Sequence, residues 1–233
     1  MLNFLKKITP FHQNSSFSAT KAERDQLCET IITTSSLKPG FFLLLVLSTF
    51  IVTVGLLKNS LVLIIGGMMV APLLSPILSL SLAITILDWR VFLRSVKTFL
   101  VSLVISLAVS YVLGLISNFS LHRVEMVGLM QTVDLSALLI PIAAGIAASF
   151  TWAKKELSGS LPGVAVTVTL LPPLTIMGLA LAVSDSIVFQ AALRIYALNV
   201  SGIIIGSLTV FMLMGFYKSA KKLVSAVKQE ESN

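Results

Sequence analysis

The sequence is short of charge, cysteine and metal-ligating residues. Only 12% of its 233 residues are charged and 56% are hydrophobic, whereas soluble domains carry roughly a quarter of charged residues. Such a chain cannot cover itself with polar surface in water, so it needs lipid as its solvent. Cys28 is the single cysteine, which excludes an intrachain disulfide and a cysteine metal cluster. His12 and His122 lie outside the apolar segments without metal-binding spacing, and we expect neither a metal nor another cofactor.

Catalytic motifs are missing as well. The sequence contains no H-E-x-x-H, no G-x-S-x-G and no glycine-rich nucleotide motif, and no pair of carboxylates lies deep in an apolar segment. We therefore expect a protein that is not an enzyme.

The net charge of +7 does not indicate a nucleic-acid partner, because the basic residues lie between apolar segments. That distribution is typical of cytoplasmic loops that face anionic lipid headgroups.

Long apolar segments predict an all-α polytopic membrane protein with six transmembrane helices, because about 20 apolar residues cross a bilayer. The six segments cover residues 41–57, 61–87, about 99–116, 136–152, 161–183 and about 187–216. They divide the chain into a polar cytoplasmic segment 1–40, a three-helix unit 41–116, an extracytoplasmic loop 117–135, a second three-helix unit 136–216 and a basic cytoplasmic tail 217–233.

Positive charge predicts the orientation of these spans. With the N-terminus in the cytoplasm, 14 of the 17 basic residues fall in cytoplasmic segments. The three on the outside are Lys58, Arg123 and Arg194. Cytoplasmic loops are enriched in Lys and Arg, and adding or removing one span would scramble this split. The distribution predicts six spans with both termini cytoplasmic.

A shift of 97 residues aligns the second half of the chain on the first without a gap. The informative matches involve residues that are uncommon here or have specific geometry: Gly66 with Gly163, Pro76 with Pro173, Asp88 with Asp185, and Phe92 with Phe189. Each unit contains three spans, an odd number, so the two units must cross the membrane in opposite senses. This is the inverted-topology repeat of many secondary transporters, and some pores are built in the same way.

Prolines interrupt the second and fifth segments at matching positions of the repeat. A proline has no N–H, so Pro72 deprives the Met68 carbonyl of its helical donor, and an unpaired carbonyl survives in a membrane only against protein or water. We expect half-helices beginning at Ile77 and Leu174, with their positive ends at the membrane midplane. The candidate substrate-binding residues are Pro72, Ser75, Pro76, Ser79, Thr167, Thr169, Pro172, Pro173 and Thr175. The alternative is a pair of helix kinks satisfied by Ser and Thr side chains.

Small polar residues recur every four positions in the third segment, at Thr98, Ser102, Ser106 and Ser110, and therefore share one helix face. Asn199 is the repeat equivalent of Ser102. Ser102, Ser106 and Asn199 are candidates for lining a transport path. The alternative is that these small residues pack helices together.

Asp88 and Asp185 each follow a broken segment and precede a new helix at x-x-Val-Phe. Aspartate is among the preferred N-cap residues, so we predict that both are caps. The alternative is a role in proton coupling, because membrane carboxylates often mark ion paths.

Two stretches resemble the hallmark segments of a family of hydrophobic membrane proteins. They are GGMMVAPLLSPILSLSLAI at 66–84 and LPGVAVTVTLLPPLTIMGLALA at 161–182. The sequence is similar here to the prokaryotic "domain of unknown function 389" family, although Ser75 stands where a glycine is expected before the proline. The resemblance implies a bacterial or archaeal plasma (inner) membrane and supplies no activity.

The function expected from these patterns is a small secondary transporter or transporter-like permease for a small anionic or neutral solute. Its site would lie at the paired breaks, near the midplane. The alternatives are a channel or pore of the inverted-repeat type, and a membrane scaffold or sensor without transport. The expected partners are the lipid bilayer and the solute, and the question of a homo-oligomer stays open.

Overall fold

The computed structural model describes residues 38–117, 136–153 and 170–218, and predictions that fall on other residues lie outside this part. The described residues form seven α-helices and a short 3-10 helix at Phe216–Lys218. The α-helices are α1 Pro39–Leu57, α2 Leu61–Val70, α3 Leu74–Ile86, α4 Trp89–Ile116, α5 Ser136–Ala153, α6 Leu171–Ala182 and α7 Ser186–Leu213.

Three of these helices, α1, α4 and α7, are long and apolar enough to cross a membrane. A fourth candidate is the pair α2 and α3, which is bent by 49° at the intervening break. A bend of this size leaves α3 running mainly forward from α2, whereas a segment that returned to its starting side would have to reverse. α5 and α6 are apolar but shorter. The described chain is therefore an all-α membrane protein with at least three candidate spans.

The break predicted within the 61–87 segment is present, because the segment forms two helices, α2 and α3, separated at residues 71–73. The predicted start of the third span is wrong. The third span was expected from about Phe99, but α4 begins at Trp89. The first turns of α4 carry Arg90, Arg94 and Lys97, which hydropathy excludes from a span. A helix can nevertheless begin there, since the long side chains of the exposed Arg90 and Lys97 can reach the headgroup level, whereas the Arg94 Nη1 atom is buried in the protein.

The two longest helices form the frame of the molecule. α4 and α7 contain 28 residues each and are therefore about 42 Å long at 1.5 Å per residue. α3 packs against both of them, and α6 also packs against both. On the outside of this group, α1 packs on α4 and α5 packs on α7. The short helices α3 and α6 thus fill the space between two long ones.

Glycines allow the closest of these helix contacts. A Cβ added to Gly178 of α6 would lie 2.8 Å from the Leu107 carbonyl oxygen of α4 and would overlap the Ser110 hydroxyl. At Gly206 of α7, an added Cβ would overlap the Ile142 carbonyl oxygen of α5. Small residues let helix backbones approach in lipid, where apolar burial does not drive association.

The 97-residue shift seen in the sequence also relates the helix boundaries. α3 and α6 begin at Leu74 and Leu171, and α4 and α7 begin and end at positions that differ by the same shift. The residue before each N-cap aspartate has a left-handed backbone, with φ of 56° at both Leu87 and Ser184. Non-glycine residues rarely adopt this conformation, so its recurrence at equivalent positions indicates that the turns α3–α4 and α6–α7 have the same local backbone structure.

Candidate functional site

The first break follows α2, which ends at Val70. The Met68 carbonyl was expected to lack its donor because of Pro72, but it accepts a hydrogen bond of 3.2 Å from the Ala71 N–H. A tighter bond of this kind commonly closes the last turn of a helix. Pro72 lies half-buried in the break. The expected freed carbonyl is therefore satisfied within the chain.

The second half of the broken segment, α3, begins at Leu74, one turn earlier than the expected Ile77. Pro76 consequently lies in the first turn, where an N–H has no acceptor within the helix and proline is tolerated. No side chain caps this helix start. Ser75 is 7% exposed, and Ser79 shares a 2.7 Å hydrogen bond with Ser95 of α4.

The start of α6 has the same construction. This helix begins at Leu171 instead of the expected Leu174, and again no side chain caps it. Pro172 and Pro173 occupy its second and third positions, so two of the first-turn donors that would need partners are absent. Thr175 donates to the carbonyls of Pro172 (2.8 Å) and Leu171 (3.1 Å). Thr167 and Thr169 lie outside the described residues.

Both half-helices are surrounded by protein. Every residue of α6 from Leu171 to Ala180 is buried, and so is most of α3. Neither contains a charged residue, and α4 from Thr98 onward and α7 from Ile195 onward contain none either. The half-helices are therefore uncharged, and their own polarity comes from hydroxyls, amides and helix ends. Ser95 of α4, which bonds to Ser79, directly follows Arg94, whose Nη1 atom is buried.

The predicted polar face of α4 is buried along its whole length, with Thr98, Ser102, Ser106 and Ser110 at most 1% exposed. Ser106 accepts a 3.2 Å hydrogen bond from Thr49 of α1. Ser110 donates to the Ser106 carbonyl at 2.7 Å and lies against Gly178. Ser106 and Ser110 thus take part in helix packing, which was the alternative interpretation of this face.

Ser102 and Asn199 occupy equivalent positions on α4 and α7. Ser102 is fully buried and donates to the Thr98 carbonyl at 2.7 Å. Asn199 is 9% exposed. One turn before them, Phe99 and Tyr196 stack on each other, with ring centroids 6.4 Å apart and planes 11° apart.

The Phe99–Tyr196 contact was not predicted from the sequence. The two residues are equivalent under the 97-residue shift, so the sequence relates them to each other. Whether equivalent residues touch depends on the placement of α4 beside α7, which the shift does not give.

The aspartates are N-caps, as predicted. Asp88 accepts from the backbone N–H groups of Arg90 (2.9 Å) and Val91 (3.1 Å). Asp185 accepts from those of Ile187 (3.1 Å) and Val188 (3.0 Å). These bonds fix the tight turns from α3 into α4 and from α6 into α7.

Apolar helices long enough to cross a membrane, with a proline-containing break, are typical of an α-helical integral membrane protein. The chain belongs to the family described as domain of unknown function (DUF389), whose model matches residues 68–205. This range includes both half-helix starts, and it confirms the resemblance found in the two proline-containing stretches.

A curated relative is an uncharacterised protein of Methanocaldococcus jannaschii, 30% identical over 192 residues. The match covers 82% of this chain and 59% of that protein, so the chain spans about three fifths of its relative's length. No solved structure matches the chain.

Proposed function

We propose that this protein is a small secondary transporter of the prokaryotic plasma membrane, built from six spans as a 3+3 inverted-topology repeat. Its substrate is a small anionic or neutral solute, and its site lies where α3 and α6 begin. The observation that carries this proposal is the packing of the half-helices: α3 and α6 each contact the long helix of their own half and the long helix of the other half, α4 and α7. We call this exchanged packing. Two halves related by a two-fold axis in the membrane plane would produce this pattern.

The lengths of the half-helices support a site inside the membrane. α3 has 13 residues and α6 has 12, which corresponds to about 20 Å and about 18 Å. Each ends next to a capping aspartate at a tight turn. A hydrocarbon core is about 30 Å thick, so a helix of this length that ends at the surface begins within the core. In an inverted repeat the two starts approach the midplane from opposite sides.

The chemistry of the helix starts supports the solute class. The N-terminus of a helix carries partial positive charge, and the region lacks acidic side chains that would attract a cation. Ser75 and Ser79 add hydroxyls on α3, and Thr175 adds one on α6. Pro72, Pro76, Pro172 and Pro173 allow helices to begin inside the protein, because they remove donors that would otherwise need partners.

Flux measurements in proteoliposomes test the function. Thermal-shift screening of small anions and neutral solutes with the purified protein would first identify a ligand. Saturable uptake with counterflow is expected for a transporter. Fast flux without counterflow would indicate a channel, and no flux of any stabilising ligand would indicate a scaffold or sensor.

Cysteine labelling tests the position of the site. In a Cys28→Ala background, the Ser75→Cys variant should react with a small hydrophilic thiol reagent, and the ligand should protect it. Leu45→Cys and Val46→Cys are matched controls in unbroken α1, because Leu45 is buried in protein and Val46 is 39% exposed on the apolar surface. Both should stay unreactive. A Ser75→Cys variant as inert as these controls would place the site elsewhere.

A further inference from the structure

The Phe99–Tyr196 stack joins two residues that are equivalent under the 97-residue shift. In an assembly with two-fold symmetry, a residue that contacts its own equivalent must lie beside the symmetry axis. We propose that this stack is the central barrier of the transport path and that the solute passing between the two rings is small and uncharged. This inference rests on the proposed function, whose substrate class it narrows.

Depth is the first argument for a barrier. Phe99 and Tyr196 are each ten residues beyond the first residue of their helices, which places them about 15 Å along α4 and α7. In the proposed inverted repeat these helices start from opposite surfaces. The axis that relates them in that repeat would pass beside the pair, midway between the two helix starts.

The surrounding helices give the second argument. α4 and α7 pack extensively against α3 and α6, whereas direct packing between α4 and α7 is slight. α3 and α6 each fill space between the two long helices, because each packs against both of them. The two half-helices begin near this level, so the aromatic pair is the direct bridge across the space where a path would change from one half to the other.

The chemistry of the pair narrows the solute. Ring faces carry the negative part of the aromatic quadrupole, which disfavours an anion between them. A cation would find no acidic partner on these helix segments and would meet Lys97 and Arg194, which lie two residues before the rings. One turn further along, Ser102 and Asn199 provide a hydroxyl and an amide. Flat apolar faces next to neutral hydrogen-bonding groups suit a small uncharged polar solute.

Glycerol and nitrate are suitable probes, one uncharged and one anionic, in stopped-flow swelling of proteoliposomes. The Phe99→Ala/Tyr196→Ala double variant should admit glycerol at least about tenfold faster than the unmodified protein, which is a barrier lower by about 1.4 kcal/mol. The unmodified protein should exclude nitrate more strongly than glycerol, and the double variant should lose part of that discrimination because it lacks the ring faces. Tyr196→Phe should keep the barrier closed. Phe92→Ala is the matched control, because Phe92 also stacks, on Trp89 at 5.2 Å, but at the end of α4.

Unchanged glycerol permeation in a double variant that elutes as folded protein would overturn the barrier. If that variant does not fold, Phe99→Ala alone decides, because it leaves Tyr196 in place. Nitrate that permeates the unmodified protein as fast as glycerol would overturn the assignment of an uncharged solute. These outcomes can be told apart from failure of the proposed function, because glycerol permeation is measured without a known substrate. A double variant that transports its substrate saturably and stays closed to glycerol would refute only this inference and not the transporter.

Discussion

Replacing Gly178 with alanine should weaken the contact between α6 and α4. The added Cβ would lie 2.8 Å from the Leu107 carbonyl oxygen and 2.9 Å from the Ser110 Cβ. Because Leu107 contributes a backbone atom, a rotamer change cannot relieve the contact and one helix must shift. Overpacking of this kind costs about 1–3 kcal/mol, and alanine returns about 0.5–1 kcal/mol of helix propensity. We expect a net loss of about 1–2 kcal/mol.

Gly66→Ala is the matched control, because a Cβ at Gly66 of α2 meets nothing within 4 Å. In the same detergent, Gly178→Ala should therefore lose thermal stability and Gly66→Ala should not. For a chain of this size 1 kcal/mol corresponds to about 2–4 °C in Tm. We expect Gly178→Ala to unfold roughly 2–8 °C lower than the unmodified protein, and Gly66→Ala at the same temperature or slightly higher.

A second substitution separates crowding from other effects. Ser110→Ala removes the hydroxyl nearest to the new methyl group but leaves the Leu107 carbonyl, so it should rescue Gly178→Ala in part. Equal stability of Gly178→Ala and Gly66→Ala would refute the close packing of α6 on α4, and with it the exchanged arrangement on which the proposed site depends.

Substitutions at four further positions test the remaining elements. Asp88→Asn and Asp185→Asn should preserve stability and flux because asparagine also caps helices, whereas alanine at either position should cost about 1 kcal/mol; loss of flux in a folded asparagine variant would instead indicate proton coupling. Gly206→Leu should separate α5 from α7 and lower the yield of folded protein in size-exclusion chromatography, and normal elution would contradict that contact. Pro72→Ala should extend α2 across the break and abolish flux, with the protein retained in the membrane. Normal flux would indicate that the break is only a helix kink without a role in transport.

Local chemistry made part of this architecture predictable. The capping aspartates and the proline-containing break between α2 and α3 were identified because cap preference and the missing proline N–H act within a few residues. The starts of α3 and α6 were misplaced by one turn, since proline obstructs the interior of a helix but not its first turn. The start of α4 was misplaced because hydropathy detects the apolar part of a helix and not its charged first turns.

Contacts between distant segments were not predictable in the same way. Gly178 lies against Ser110, and no local pattern links those two positions. The polar face of α4 was recognised, but whether its hydroxyls line a path or pack helices depends on which helices cover them. Thr49 and Gly178 cover Ser106 and Ser110, and neither could be assigned to that face from periodicity alone.

The opposite orientation of the two halves is the central claim, and cysteine sidedness tests it most directly. Trp89 and Ser186 are equivalent first residues of α4 and α7, and both are exposed. In a Cys28→Ala background, Ser186→Cys should react with a membrane-impermeant maleimide in right-side-out vesicles, and Trp89→Cys only in inside-out vesicles. Labelling of both positions from the same side would contradict the inverted repeat.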